Sequence, residues 1–361
     1  MFNGFYAGKR VLVTGNTGFK GAWLSEWLLS LGAEVTGYSI DIPTTPSLFE
    51  KLNHKERMNH VEGDILDLAH FKKVVTDVKP EIVFHLAAQS LVRLSYDQPV
   101  DTFETNVMGT VKVMEALRES PSLKSLLIIT TDKCYENREW EFGYRENDPM
   151  GGKDPYSASK GCAELAFSAY YRSFFSTGKT LCHSVRAGNV IGGGDWALDR
   201  IVPDCAKAWG QGKPVEIRNP VSVRPWQHVL EPLSGYLWLA SRCEEQKELQ
   251  GESFNFGPRV EVNQPVGVLV KSLQKYWPET ESKIASPDPL IKPEAGLLKL
   301  VCDKAFHHLK WRPTLGFEET MEMTAKWYRS FYVDQKDARD LVNEDIRSYS
   351  QKAADQQMEW A

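Results

Sequence analysis

Short runs of apolar residues alternate with longer stretches of mixed polarity through the first half of this 361-residue chain. Runs rich in Val, Ile and Leu are typical of parallel strands that are buried on both faces and joined by crossover helices. The pattern predicts strands at residues 10–14, 34–40, 58–62, 82–86, 126–131 and 181–186. We therefore predict an α/β fold built on a doubly wound, parallel Rossmann-type sheet.

The sequence pattern changes after residue 187, where predicted loops rich in glycine and proline replace clear strands. Residues 253–257 look like one more strand of the main sheet, so the chain is expected to return to it. We predict a main domain of residues 1–187 with about 228–257, and a smaller C-terminal substrate-binding lobe of 188–227 and 258–331. Residues 332–361 are polar and charged, which fits either a solvated helix or a disordered tail.

Composition and charge narrow the class of partners. With 42% hydrophobic residues the chain can bury a sizeable core, and its net charge of −5 gives no reason to expect binding to nucleic acid or to an acidic membrane. The N-terminus reaches the first strand within ten residues, without a signal segment, and no apolar run is long enough to span a bilayer. The six cysteines show no metal-ligand spacing, so we expect free thiols in a reducing cytoplasm, no metal site and small-molecule partners.

Three glycines, Gly15, Gly18 and Gly21, stand at three-residue intervals between the first strand and a predicted helix. Gly15 permits a tight turn, Gly18 lets a pyrophosphate approach the backbone, and Gly21 lets the helix pack closely on the sheet. The free N–H groups and the positive end of the helix favour phosphate groups. The turn, which also contains Thr17 and Phe19, is therefore predicted to bind a dinucleotide.

Asp41 falls at the end of the second predicted strand, twenty residues after Gly21. A carboxylate at this place can accept hydrogen bonds from the hydroxyls of the adenosine ribose. The same carboxylate would repel a 2′-phosphate, and no lysine or arginine lies within residues 38–42. The predicted cofactor is therefore NAD rather than NADP.

Two further segments follow predicted strands, at the edge where ligands bind in open α/β sheets. Asp64 and Ile65 follow the third strand, and Leu86, Ala87 and Ala88 follow the fourth. The two small alanines would let a cofactor lie against the backbone. Ordinary close packing explains the same residue types, so both interpretations stay open while the segments are kept in the candidate cofactor site.

Tyr156 and Lys160 lie four residues apart at the start of a predicted helix and therefore share one helix face. A nearby ammonium group lowers the pKa of a phenol, which would make the tyrosine a usable base near neutral pH. The lysine can also bind the ribose of the nicotinamide. Both residues are therefore predicted to take part in catalysis and to contact the cofactor.

Thr131, Asp132 and Lys133 follow the fifth predicted strand. Thr131 can hydrogen-bond a substrate hydroxyl, Asp132 offers an acid, and Lys133 offers a base. An adjacent aspartate and lysine on an ordinary surface would have no such meaning. At the mouth of a sheet that holds a cofactor, we predict that they take part in the chemistry.

Together these motifs resemble those of the extended short-chain dehydrogenases, over about the first 330 residues of the chain. Residues 131–140, with 143–146 and 148–152, are similar to the CDP-glucose 4,6-dehydratases within the nucleotide-sugar 4,6-dehydratases. The common form of that family has a glutamate where this chain has Lys133, and a lysine is expected there in the CDP-glucose branch.

The resemblance implies a reaction in three stages. Tyr156, assisted by Thr131, would remove the proton of the C4 hydroxyl while a hydride passes from C4 to NAD. Asp132 would then protonate the C6 hydroxyl as water leaves across C5 and C6, and the hydride would return to C6 to give a 4-keto-6-deoxy sugar. Lys133 would serve either as the C5 base, if its pKa is lowered, or as a charged stabiliser of the enolate.

Polar residues of the predicted lobe and of one strand end are candidates for binding the nucleotide sugar. Guanidinium groups suit a pyrophosphate through paired hydrogen bonds, although exposed arginines also form surface ion pairs. The resemblance favours Asn189 and Arg224, and it leaves Arg200 and Arg218 between the two roles. The full candidate set is Ser90, Asn189, Arg200, Arg218, Arg224 and Glu294.

Other functions stay open on the sequence alone. A 4-epimerase of nucleotide sugars needs no acid and base for elimination, so Asp132 and Lys133 argue against it. A non-catalytic NAD-binding protein has no need of Tyr156, Lys160 and Thr131. The choice of CDP over other nucleotides rests on the resemblance alone, which also implies a homodimer or a dimer of dimers.

Overall fold

The computed structural model describes residues 1–242, 247–285 and 297–361. Its strands are β1 (Arg10–Thr14), β2 (Glu34–Ser39), β3 (Asn59–Glu62), β4 (Ile82–His85), β5 (Ser125–Ile129), β6 (Leu181–Arg186), β7 (Val190–Ile191), β8 (Val215–Ile217), β9 (Val223–Pro225), β10 (Gln227–His228), β11 (Ser253–Asn255), β12 (Asn263–Pro265) and β13 (Ser282–Ile284). Its α-helices are α1 (Phe19–Ser30), α2 (Leu48–Lys51), α3 (His54–Arg57), α4 (Leu68–Val78), α5 (Val92–Asp97), α6 (Pro99–Phe103), α7 (Gly109–Leu117), α8 (Pro155–Tyr170), α9 (Ile201–Gly210), α10 (Leu230–Ser241), α11 (Val266–Tyr276), α12 (Asp303–Leu309), α13 (Phe317–Tyr332) and α14 (Ala338–Asp355).

Seven parallel strands form the central sheet, in the order β11-β6-β5-β4-β1-β2-β3. The chain builds outward from β1 to β3 and then crosses back to β4, so the strand order reverses between β1 and β4. In an open α/β sheet, the carboxyl ends of the strands at such a reversal form a crevice for ligands. The predicted doubly wound sheet is confirmed, and β11 adds a seventh strand beside β6.

The sheet is buried on both faces. Successive side chains of a strand point to opposite faces, so Val11 and Val13 join the hydrophobic cluster under α1, whereas Leu12 joins the cluster under α4 and α7. Because helices cover both faces, the strands are apolar throughout, which is the signal that made them predictable. The sheet is therefore a rigid support, and the loops of the candidate site follow the carboxyl ends of its strands.

Among the residues that the structure describes, three small two-stranded sheets follow the sixth strand. They pair β7 with β10, β9 with β12 and β8 with β13. All of them lie in the part of the chain in which clear strand patterns give way to interrupted loops. Strands of two or three residues are too short to leave a periodic pattern.

The polar segment at the end of the chain forms α14, which packs on α1 and α13. Its buried side chains recur at helical spacing and include Leu341, Ile346 and Tyr349. Beyond the helix, the ring of Trp360 stacks on Phe2 with 5.4 Å between centroids, and the Phe2 amide donates a 2.6 Å hydrogen bond to the Trp360 carbonyl oxygen. Of the two expectations for this segment, the helix is therefore the one found.

Candidate active site

The glycine turn after β1 is fixed by close backbone packing. Gly15 has a φ of 74°, and a Cβ atom there would lie 2.7 Å from the amide nitrogen of Ala87. A Cβ atom on Gly21 would overlap the carbonyl oxygen of Gly15, whereas the nearest atom to one on Gly18 lies 3.5 Å away. The first and third glycines are therefore required by the fold, and the middle one borders open space.

Helix α1 begins directly behind this turn. Its N-cap is Gly18, and no side chain caps it by a hydrogen bond. Beside it the Thr17 amide donates to the Ser39 hydroxyl at 3.4 Å, while Phe19 is partly buried. A twelve-residue helix that presents an uncapped N-terminus next to open space is suited to bind a phosphate group.

The other candidate cofactor residues surround the turn on neighbouring strand ends. Asp41 is exposed just beyond β2 and forms no hydrogen bond or ion pair with the described residues. The Asp64 carboxylate accepts a 2.8 Å hydrogen bond from the Leu66 amide, so it shapes its own turn. Ile65 is buried.

The small residues after β4 contact the turn through their backbone. Leu86, Ala87 and Ala88 are all partly buried. The Ala87 amide donates to the Thr14 hydroxyl at 3.3 Å, and the backbone of Leu86 and Ala87 closes on Gly15. Close packing on Gly15 accounts for part of this segment, and its exposed side borders the same crevice.

The start of α8 is set by Asp154 and Pro155. The Asp154 carboxylate caps the helix by accepting hydrogen bonds from the amide and the hydroxyl of Ser157, at 2.9 and 2.6 Å. Proline at the first helical position is pre-organised for this conformation. Tyr156 and Lys160 then lie in the first two turns, both buried, with the Lys160 ammonium 3.5 Å from the Ile129 carbonyl oxygen.

At the end of β5, Asp132 is held from three sides. The Thr131 hydroxyl donates to Asp132 Oδ1 at 3.0 Å, and Asn189 Nδ2 lies 3.5 Å from Oδ2. A Cβ atom on Gly188 would overlap the Asp132 carboxylate. The Lys133 amide donates to Thr131 Oγ1 at 3.3 Å. The sequence singled out the acid, and the need for glycine at 188 was not foreseen.

Thr131 lies between the two candidate catalytic segments. Its hydroxyl donates to the Asp132 carboxylate, and both residues act on the pKa of the Tyr156 phenol. All three residues are at most 8% exposed. The predicted residues 131, 132 and 156 are therefore brought into one cluster.

Burial shifts the pKa values of both Tyr156 and Lys160. Burial raises the pKa of Tyr156 to about 12, against a smaller opposing effect of Thr131. Burial lowers the pKa of Lys160 to about 8, against the Glu164 carboxylate that raises it. The expectation that a nearby ammonium lowers the phenol pKa is therefore wrong for the protein on its own, because loss of hydration dominates.

Lys20, in the first turn of α1 and between the second and third glycines, is a charged residue near the candidate site that the sequence analysis missed. Its ammonium lies 5.7 Å from the ring centroid of Tyr236 and forms no hydrogen bond or ion pair with the described residues. Burial, followed by the charges of Arg200 and Lys160, lowers its pKa to about 8, while Asp132 acts in the opposite direction. One signal in the sequence could have pointed to it. A lysine stands between two glycines of the motif, where the fold has no need of a charge.

One turn beyond Lys160, α8 carries a saturated ion pair. Glu164 accepts hydrogen bonds from Arg186 at 2.9 and 2.7 Å, and from the hydroxyls of Thr130 and Ser184. Arg186 also donates to the Tyr135 hydroxyl at 2.6 Å. This network ties α8 to β5 and β6. The charge of Arg186 is thereby paired with Glu164.

The candidate substrate residues that the structure describes lie on separate segments. Arg200 pairs with Asp195 at 3.1 Å, and its charge acts on both Tyr156 and Lys20. Arg218 pairs with Asp199 at 2.8 Å in the partly exposed loop after β8, and Arg224 lies on β9. The remaining two residues differ: Ser90 is exposed after β4, and Glu294 falls outside the described residues.

Two absences apply to the described part of the chain. No group of histidine, cysteine, aspartate and glutamate side chains within residues 1–242, 247–285 and 297–361 is arranged to hold a metal ion. No helix within the same ranges has the length and apolar character needed to cross a bilayer.

A doubly wound sheet with an uncapped glycine-turn helix and a buried Tyr-x-x-x-Lys pair defines a dinucleotide-binding enzyme of the extended short-chain dehydrogenase type. The family model described as GDP-mannose 4,6 dehydratase matches residues 12–324, and the chain belongs to this family. The chain is 50% identical over 332 residues to the CDP-glucose 4,6-dehydratase of Salmonella typhimurium, covering 91% of this chain and 92% of that protein. It is also 26% identical to the dTDP-D-glucose 4,6-dehydratase of Mus musculus, over 91% of both chains. The predicted resemblance is thereby confirmed.

Solved structures share the fold. An epimerase from Methanothermobacter thermautotrophicus superposes with a TM-score of 0.78 at 22% identity, covering 95% of this chain and 97% of that one. The dTDP-glucose 4,6-dehydratase of Streptomyces venezuelae, solved with NAD bound, gives a TM-score of 0.74 at 21% identity, covering 90% of this chain and 99% of that one. At these identities the likeness establishes the architecture and no more.

Proposed function

We propose that this chain converts CDP-D-glucose to CDP-4-keto-6-deoxy-D-glucose and water, with NAD as a cofactor that stays bound through the cycle. The proposal rests above all on the buried cluster of Tyr156, Thr131 and Asp132 at the carboxyl ends of the sheet. Oxidation at C4 needs a base, and elimination across C5 and C6 needs an acid in addition. The 50% identity to a CDP-glucose 4,6-dehydratase supports the choice of nucleotide.

The glycine turn fits NAD. The open space at Gly18 and the uncapped start of α1 would hold the pyrophosphate, with Thr17 and Phe19 contributing backbone and side-chain contacts. Asp41 would accept the adenosine ribose hydroxyls, because its carboxylate is exposed and unengaged within the described residues. Bound NAD would accept a hydride from C4 of the sugar and return it to C6.

The remaining cofactor contacts would come from the strand ends and from α8. Asp64 and Ile65 would lie beside the adenosine, and the backbone of 86–88 would lie against the cofactor. Lys160 would bind the nicotinamide ribose from its buried position in α8. An ammonium group that has lost much of its hydration and has few protein partners gains strongly from such hydroxyls.

Tyr156 would act as the base for the C4 hydroxyl, with Thr131 orienting that hydroxyl. A phenol with a pKa near 12 is a poor base at neutral pH, so ligand binding must favour its ionised form. Lys160 and the positively charged groups in the pocket provide that stabilisation once the site is closed to water. Oxidation is therefore expected to depend on a filled cofactor site.

Asp132 would protonate the departing C6 hydroxyl, and Lys133 would act at C5. Asp132 is 1% exposed and fixed by Thr131 and Asn189, so it is oriented before substrate arrives. The Lys133 ammonium forms no hydrogen bond or ion pair with the described residues, and it is free to approach the substrate. An unpaired amine beside an oriented acid suits an elimination.

The nucleotide sugar would lie under the segment that follows β6. The charge of Arg200 acts on Tyr156, so this arginine lies near the proposed base. Arg200 and Arg224 together would bind the pyrophosphate. Asn189 would contact the sugar beside Asp132, and Arg218 would exchange its exposed partner Asp199 for a phosphate oxygen. The substrate set is completed by Ser90 and Glu294, and the lobe that we propose comprises residues 188–227 and 258–331.

We also propose a homodimer formed through α6, the residues 104–108 that follow it, and α8. An open apolar groove there is lined by side chains that include Val100, Phe103 and Met108, and Val100 is 67% exposed. Leu165 on α8 is 61% exposed. Apolar side chains grouped on one face mark an interaction surface. Leu165→Asp is expected to give monomers by light scattering, and a size equal to that of the unaltered protein would contradict this interface.

The test of the activity is to incubate the purified protein with CDP-, UDP-, dTDP- and GDP-glucose and to follow the alkali-dependent absorbance of 4-keto sugars. We expect a signal with CDP-glucose and no net release of reduced cofactor, because the hydride is returned within the site. A 4-keto product from another nucleotide would change the substrate. Conversion to a C4 epimer without water loss would refute a dehydratase.

A further inference from the structure

The candidate acid rests against a short segment of chain after β6. Gly188 lies so close to Asp132 that a Cβ atom on it would overlap the carboxylate, and Asn189 Nδ2 lies 3.5 Å from Asp132 Oδ2. The Asp132 amide also donates to the Ala187 carbonyl oxygen at 3.4 Å. Residues 187–189 therefore set where the carboxylate lies, and whatever fixes them also fixes the acid.

Gln227, on β10, holds this segment and ties it to a neighbouring strand. Its side-chain nitrogen donates to the carbonyl oxygens of Gly188 and Phe256, at 2.9 and 3.2 Å. Its backbone amide donates to the Asn189 carbonyl oxygen at 3.3 Å. Phe256 directly follows β11, and its own amide donates to the Arg186 carbonyl oxygen at 2.8 Å. The glutamine thus connects the chain after β6 to the chain after β11.

The geometry requires an amide with its nitrogen facing these oxygens. The side-chain nitrogen of glutamine supplies two N–H donors, so it can satisfy both carbonyl groups at once. Gln227 is 1% exposed, and its Oε1 atom is buried with no hydrogen-bond partner among the described residues. A buried acceptor without a partner costs free energy that offsets what the donated bonds contribute. The residue therefore adds little to stability, and what it secures is the position of residues 187–189.

We propose that Gln227 is a positioning residue that keeps the Asp132 carboxylate in place to protonate the departing C6 hydroxyl. This role rests on the proposed function. Oxidation at C4 depends on Tyr156 and the cofactor, so it should tolerate a shift of the acid, whereas the departure of water should not. Loss of the glutamine is therefore expected to slow one stage of the cycle selectively.

The test compares CDP-glucose with CDP-6-deoxy-6-fluoroglucose as substrates of protein loaded with NAD. The C6 hydroxyl must gain a proton to leave as water, whereas fluoride leaves with the electron pair of the C6–F bond and needs little help from an acid. Both sugars lose the C5 proton, form the same C5–C6 double bond and take the hydride at C6, so both give the same 4-keto-6-deoxy product. One assay of that product, by its absorbance in alkali, measures both rates.

Gln227→Leu removes both donors at nearly the same size. We expect its kcat with CDP-glucose to fall by about a hundredfold, and its kcat with the fluoro sugar to stay close to that of the wild type. Gln250→Leu is the matched control, because the Gln250 side chain also donates to two carbonyl oxygens, those of Phe175 and Thr180, both at 3.1 Å. Those bonds precede β6, at the end of the strand away from the acid, so Gln250→Leu should retain both rates.

Equal slowing of both sugars in Gln227→Leu would overturn the positioning role, because a general loss of structure does not distinguish leaving groups. Unchanged kcat with CDP-glucose would overturn it as well. Should the leucine variant fail to fold by circular dichroism, Gln227→Met provides the same comparison. A wild-type protein that converts neither sugar would refute the proposed function together with the positioning role. An active wild type with a uniformly slow leucine variant would refute the role of Gln227 alone.

Discussion

Two groups of charges surround α8, one at Glu164 and one at Lys160 a turn earlier, and they differ in how completely the protein pairs them. Glu164 and Arg186 satisfy each other and are further hydrogen-bonded by Thr130, Ser184 and Tyr135. The group nearer the helix start is left incomplete, since Lys160 has one 3.5 Å carbonyl contact. Lys20 beside it forms no hydrogen bond or ion pair with the described residues.

The difference separates stability from function. A saturated pair gives the helix a fixed position, because moving either partner strands a charge in a dry interior. An unsaturated ammonium raises the free energy of the empty protein and lowers that of a complex which supplies the missing partner. The incomplete group should therefore be costly until ligands bind, and substitutions in the two groups should have opposite effects on folding.

The largest effect is expected for Arg186→Met, which leaves the Glu164 carboxylate buried without its cation. Breaking a buried pair on one side costs about 3–5 kcal/mol in the free energy of unfolding. Denaturant unfolding would measure it. The same change at Arg218, whose ion pair with Asp199 is partly exposed, should cost under about 1 kcal/mol. Similar losses at both positions would mean that the α8 network is not special.

Lys133→Ala should affect chemistry rather than folding. If the lysine is the C5 base, deuterium incorporation at C5 in D₂O should fall by about a hundredfold or more, with substrate binding retained. Mass spectrometry of the product measures the exchange. Lys153→Ala, an exposed lysine in the loop before α8, is the matched control. Unchanged exchange in Lys133→Ala would remove this residue from the mechanism.

Gly188→Ala tests the support of the acid. The added methyl would overlap the Asp132 carboxylate and displace it, and a shift of about 1 Å can cost about a hundredfold in rate. We expect kcat to fall by that amount while NAD binding, followed by fluorescence, stays unchanged. Gly178→Ala, outside the site, should have no effect on kcat. Full activity in Gly188→Ala would show that Asp132 tolerates displacement.

The same contrast explains what the sequence could predict. The sheet strands were visible because burial on both faces demands unbroken apolar runs, and β1 and β6 match their predicted ranges. Tyr156 and Lys160 were visible because helical spacing is local. Both signals lie within a few residues of the chain.

The missed features depend on contacts between distant segments. Glu164 reads as an ordinary helix residue until β6 places Arg186 beside it, 22 residues later. From the sequence, Gly188 looks like an ordinary loop glycine. Its role becomes visible only when the end of β5 places Asp132 against it. Likewise, α14 looked solvated because its mean polarity is high, although one face is buried on α1. Tertiary position, rather than residue type, carries that information.

The smallest expected effect is a gain in the free energy of unfolding when Lys20 is removed. It tests the comparison most directly, because removing Arg186 from the saturated group should lower that free energy. Burial lowers the pKa of Lys20 from 10.5 to about 8, so the folded protein holds fewer protons than the unfolded chain between those values. The free energy of unfolding therefore rises with pH across that window, and below it the charged ammonium destabilises the empty protein. Lys20→Met should accordingly stabilise the ligand-free protein at neutral pH.

Water screens part of this cost because the Lys20 side chain is partly exposed, so we expect a gain of about 1 kcal/mol. Denaturant unfolding at roughly pH 7 and pH 10 would measure it, and the gain should shrink at the higher pH as the wild-type lysine loses its proton. Lys20→Arg keeps the cation and should show no such gain. A destabilised Lys20→Met would mean that the ammonium already has adequate partners, and the division of the charges around α8 into a saturated and an incomplete group would fail.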